Sequence, residues 1–78
     1  MAARMVQVSW TDSAGRTGWA DTAEGRSEEL MAVTSVGYLV AEHEDRIIIG
    51  QSMTEGKVAD TLAIPRAVIT GVRDVRLR

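Results

Sequence analysis

Hydrophobic and polar residues alternate along much of this chain with a period of two. In the segment 5–10, Val6, Val8 and Trp10 fall on one face and Met5, Gln7 and Ser9 on the other, the pattern of a half-buried strand. The densest run of strand formers is 33–53. Its first part, 33–41, is rich in β-branched and aromatic residues, and its second, 46–53, carries Ile47-Ile48-Ile49. The polar cluster Glu42-His43-Glu44-Asp45 separates them. Strand formers around a polar break predict a hairpin, and the rest of the chain is expected to close around it. A fourth strand is predicted over 58–64, with Asp60 breaking its apolar pattern, and a last apolar run begins at Ala67.

The breaks are as informative as the runs. The segment 11–18 holds Asp12, Ser13 and two glycines, which is turn chemistry. In 19–31, Asp21 or Thr22 caps a short helix that Gly25 interrupts, so a long excursion with one or two helical turns is predicted. Residues 54–57 form a turn, and Pro65 marks a strand end or tight corner.

Composition narrows the possibilities. Seventy-eight residues make one domain, 1–78, near the lower end of what folds without staples. Cysteine is absent, which removes disulfides and thiolate-bound zinc. A core of this size rarely contributes more than ~3–5 kcal/mol, so self-association is the expected supplement. Nine basic and eleven acidic residues leave a formal charge of −2, against the basic excess of a general nucleic-acid binder. No apolar run approaches the ~20 residues of a membrane span, and no signal-peptide pattern is visible. The cytoplasm is the expected location.

Five strands, a long loop after the first and an Ile64-Pro65 corner before the last give a layout that resembles the Src-homology-three-like and Sm-like small barrels. In those barrels a short helical turn leads into the closing strand, and residues 64–69 sit where it would fall. The expected fold is therefore mainly β: a small five-stranded barrel or a strongly bent antiparallel sheet, with a short helical turn in the loop after the first strand. An open five-stranded sheet with one packed helix is the main alternative. The chain also resembles a group of short, mostly uncharacterised phage-encoded proteins. The resemblance runs through Val8-Ser9-Trp10-Thr11-Asp12-Ser13, Gly18-Trp19, Thr34-Ser35-Val36-Gly37-Tyr38-Leu39-Val40, Gly50-Gln51-Ser52 and Ile64-Pro65-Arg66. It implies a phage or prophage origin and hence the host cytoplasm, but no settled activity.

Catalysis is not expected. The single histidine, His43, lies among carboxylates in a predicted turn, and consecutive turn residues rarely converge on one ion. No Ser-His-acid trio forms without it. Asp12 and Asp60 are more simply a turn former and an outward strand residue than an acid–base pair. Walker and dinucleotide glycine patterns are missing. Neither a cofactor nor a metal is implied.

Binding is the better prospect. The aromatic residues are Trp10, Trp19 and Tyr38. Trp10 is expected to plug the core, whereas Trp19 fits a core plug and a stacking platform equally well. The candidate ligand set is Trp19, Asp12, Ser13, Tyr38, Gln51, Ser52 and Arg66. Ile47 and Ile49 share one face while Ile48 lies on the other beside Arg46. A strand apolar on both faces is normally covered on both, so Arg46 and Ile48 are expected to meet a second subunit, unless the loop 12–31 covers them. The function this suggests is a non-enzymatic homo-oligomer that sequesters a small nucleotide-like molecule such as a host-defence signal. The alternatives are a protein-interaction or virion-associated module, and an RNA binder of the Sm type. The last is weakened by a single lysine, although Arg73, Arg76 and Arg78 cluster near the C-terminus.

Overall fold

The computed structural model describes residues 3–13, 18–26 and 29–76. Its elements are β1 (Met5–Asp12), the single helical turn α1 (Thr22–Gly25), β2 (Met31–Glu42), β3 (Arg46–Thr54), β4 (Lys57–Pro65), a 3-10 turn (Arg66–Val68) and β5 (Ile69–Asp74). The strands form one antiparallel sheet in the order β4-β3-β2-β1-β5. Among the described residues no helix is long and apolar enough to cross a membrane.

The alternation in β1 does what its period dictates. Val6 and Val8 are fully buried, and with Ile47, Ile49 and Ile64 they make up the core. Trp10, Leu39, Val68 and Ile69 pack against its margin. The Ile47-Ile48-Ile49 run splits by face. Ile47 and Ile49 are 1% and 4% exposed, whereas Ile48 is half-buried between its cross-strand neighbours Ala41 and Ala63.

β2 is the spine of the sheet because it serves two ladders in turn. Its first part pairs with β1, from Asp12↔Met31 to Met5↔Tyr38, and its second with β3, from Tyr38↔Gly50 to Glu42↔Ile47. Tyr38 belongs to both. Just before it, Gly37 faces Val6, and a Cβ there would lie 2.8 Å from the Gly50 carbonyl oxygen. That distance is closer than a methyl group tolerates, so glycine is what lets the two backbones meet here. Register shifts between Ser9 and Trp10 and between Leu39 and Ala41 bend the sheet further.

The sheet does not close, which corrects the barrel expectation. A barrel would pair β4 with β5, but both are edges. Two features account for it. β5 is only six residues long. The β3–β4 hairpin runs on beyond Tyr38↔Gly50, where β2 leaves β3 to pair with β1: Ser52↔Ala59, Met53↔Val58 and Thr54↔Lys57 pair with each other past the last β2–β3 pair. Residues 51–63 are accordingly exposed. The molecule has extents of 54 × 28 × 22 Å and a radius of gyration of 16.0 Å, against ~11.5 Å for a compact chain of this length. Gly56 at its tip and Asp60 within β4 both take left-handed φ, 70° and 55°.

Pro65 ends β4 with φ −60° and ψ 134°, and the corner is then tied down. The Arg66 backbone N–H donates to the Asp45 carbonyl at 2.9 Å, and its Nε donates to the His43 carbonyl at 2.7 Å. These bonds hold the 3-10 turn against the β2–β3 turn and direct Val68 and Ile69 onto the core. At the other end of β5, Arg4 Nε meets Asp74 Oδ1 at 2.6 Å on the surface. The Asp74 carboxylate holds the Arg4 guanidinium above its ordinary pKa. Screening makes such an exposed pair a minor term.

Candidate functional site

One concavity involving predicted site residues lies where β1 ends beside the start of β5. It has a volume of about 450 Å³, and its walls include Thr11, Asp12, Ser13, Leu30, Val68 and Thr70. Three local bonds shape it. Trp10, paired with Ile69, donates its indole N–H to Ser35 Oγ at 3.1 Å, which orients the ring beside the core. Thr70 Oγ1 donates to the Ser9 carbonyl at 3.1 Å, bridging the register shift in β1. The Ser13 backbone N–H donates to Asp12 Oδ1 at 2.8 Å, a local bond that turns the chain away from the strand. The result is an apolar floor from Leu30, Ala67, Val68 and Ile69, with hydroxyls and one carboxylate at its rim.

Of the ligand set read from the sequence, the structure brings Asp12 and Ser13 together at this cavity and disperses the rest. Trp19 is wholly exposed, at 104% of its reference area, so it is not a core plug. Tyr38 is half-buried in mid-sheet, between Met5 and Gly50. Gln51 and Ser52 are exposed on the projecting hairpin. The Nε of Arg66 is engaged by the His43 carbonyl. Arg46 donates through Nη1 to Asp45 Oδ1 at 2.7 Å, and that hydrogen bond holds the Asp45 carboxyl below its ordinary pKa. Trp10 packs against the core, as its place in the β1 alternation predicts.

Leu30, Ala67 and Val68, the apolar part of the cavity, are absent from the sequence-derived set. Only the apolar pair Leu30-Met31 closing a polar excursion hinted at the first of them. Nothing in the spacing signalled that Ala67 and Val68 would meet Asp12 across the sheet. Among the described residues no three His, Asp or Glu side chains stand close enough to hold a metal ion. Glu42, His43, Glu44 and Asp45 are all exposed.

The cavity has the chemistry of a binding site for a small, partly apolar molecule with hydrogen-bonding groups. Its polar rim would fix orientation, and its apolar floor would contribute contact area. Comparison of the chain with protein-family models, with curated proteins and with solved structures finds no match.

Proposed function

We propose that this protein is a non-enzymatic, self-associating binding protein that holds a small nucleotide-like ligand. Two separate observations support the reading: the polar-rimmed cavity at Asp12 and Ser13, and the wholly exposed indole of Trp19, which is not among the residues lining that cavity. An exposed tryptophan forgoes the burial that normally occupies it, and a free ring face is what a nucleobase stacks on. Asp12 and Ser13 are suited to accept from and donate to ribose hydroxyls. The resemblance to short phage-encoded proteins supports a host-defence signal as the ligand and the host cytoplasm as the place of action. The order of elements supports reading the sheet as an opened relative of the Src-homology-three-like and Sm-like barrels.

The test is calorimetric titration with a panel of cyclic and linear nucleotides. Stacking is worth ~1–3 kcal/mol per base, so Trp19→Ala should weaken binding roughly ten- to a hundredfold. Its melting temperature should not change, because the ring buries nothing. Asp12→Ala should weaken binding as well. Absence of binding across the panel would overturn the ligand reading. A protein-interaction or virion-associated module would then stand in its place, supported by the apolar residues on the projecting hairpin.

A further inference from the structure

The β3–β4 arm carries apolar side chains that are only partly covered. Met53, Val58 and Leu62 stand on it and Val40 adjoins it, and all four are exposed. Val40, Met53 and Val58 are gathered together, while Leu62 stands apart, registered opposite Ile49. Val40, Met53 and Val58 line one shallow groove of about 220 Å³. Met53 and Val58 also line a second, of about 350 Å³. Val40 and Val58 converge over Gly50, where their Cγ2 atoms take the space that a Cβ would fill.

Two magnitudes make this arrangement incomplete in a lone chain. A two-stranded hairpin is marginal in water unless a third strand or a packed layer supports it, and the outer part of the arm pairs only with itself. The accessible surface is 6364 Å², whereas a compact monomer of this mass exposes about 4,700 Å². The arm, exposed over residues 51–63, shares this excess of roughly 1,700 Å² with the loop around Trp19 and Leu30, and the about 800 Å² that each partner contributes to a standard interface is about half of it.

Charge indicates what covers it. Around the apolar centre the arm bears Glu55, Asp60 and Lys57, the only lysine of the chain. One cation and two anions beside an apolar strip make a patch able to face itself, as a two-fold contact requires. We infer that the occupant is a second copy of this chain, with the two arms packed side by side about a two-fold axis. Their apolar grooves would be closed against each other, and Lys57 would face carboxylates of the other arm. This names the surface behind the self-association proposed above and rests on that proposal. It assigns the contact to the arm rather than to Arg46 and Ile48.

Light scattering and native mass spectrometry of the full chain should report a particle of roughly 17 kDa, twice the chain mass of 8.5 kDa. Met53→Glu should shift it to the single-chain mass. Because the chain lacks cysteine, single cysteines give a second readout that does not depend on that variant folding. Thr54→Cys and Ala59→Cys should be joined into dimers by a short bis-maleimide, and Arg73→Cys, on β5, should not. A monomeric parent would overturn this inference and the proposed self-association together. A dimer that crosslinks at Arg73→Cys but at neither arm position, or a folded Met53→Glu chain that stays dimeric, would overturn the arm contact alone.

Discussion

Gly37 offers the sharpest test of how closely β2 and β3 approach. A Cβ at that position would lie 2.8 Å from the Gly50 carbonyl oxygen and 3.3 Å from Ile49 Cβ. Both neighbours are rigid: one is backbone held in the sheet, and the other belongs to a core side chain. Gly37→Ala therefore forces the strands apart instead of turning aside a flexible tip, and overpacking of this kind costs ~1–3 kcal/mol. Restricting the unfolded chain returns ~0.4–1 kcal/mol. The net expectation is a loss of about 1–2 kcal/mol. Gly71, in β5, is the internal control: a Cβ there meets nothing within 4 Å, so Gly71→Ala should be neutral or gain up to ~1 kcal/mol. Urea unfolding followed by the fluorescence of the half-buried Trp10 separates the two. With a slope of about 1 kcal/mol per molar for so small a chain, the Gly37→Ala midpoint should fall by ~1–2 M. Protein concentration must be held constant, since self-association moves the midpoint. A Gly37→Ala midpoint at or above that of the parent would refute the close approach.

The remaining expectations concern the core and the edge. Ile64 is 1% exposed and faces Ile47 across the β3–β4 ladder, so Ile64→Ala should cost ~2–5 kcal/mol; a loss below about 0.5 kcal/mol would mean that the corner at Pro65 does not deliver it to the core. Asp60 holds a φ of 55°, a region that a β-branched residue enters only at a cost of roughly 1–2 kcal/mol. Asp60→Val should lower the melting temperature while Asp60→Gly leaves it level or raises it, and equal melting of both variants would argue against the left-handed turn in β4.

Local pattern made the strands legible and left their assembly hidden. The faces of β1 and the split between Ile47, Ile49 and Ile48 follow from a period of two, which each strand carries within itself. The corner at Pro65 was readable because proline fixes its own φ wherever it occurs. Closure was not, because pairing of β4 with β5 is decided by strands far apart in sequence and by their relative lengths. A period of two groups Val58, Leu62 and Ile64 with Asp60 as the break, yet of the residues 58–64 only Ile64 is buried. Alternation states which side chains share a face and nothing about whether anything lies over that face. The candidate site was half visible for the same reason. Asp12 and Ser13 announce themselves as turn residues, but the apolar wall at Ala67 and Val68 reaches them only through the pairing of β1 with β5.

That pairing has a consequence for the order in which the molecule can be completed. β2, β3 and β4 follow one another through tight turns, so each finds its partner as soon as it is made. β1 is different: one of its edges is filled by β2, but the other waits for β5, with Val6 meeting Asp74 across nearly the whole chain. During synthesis, β1 therefore keeps a row of unpaired N–H and C=O groups until β5 is made, and such an edge is a template for other chains. Closing the seam also carries the largest loop-entropy cost in the sheet. The Arg4–Asp74 pair and the hydroxyl bond from Thr70 to the Ser9 carbonyl lie along this seam. They fasten the two strands of the sheet that lie furthest apart in sequence.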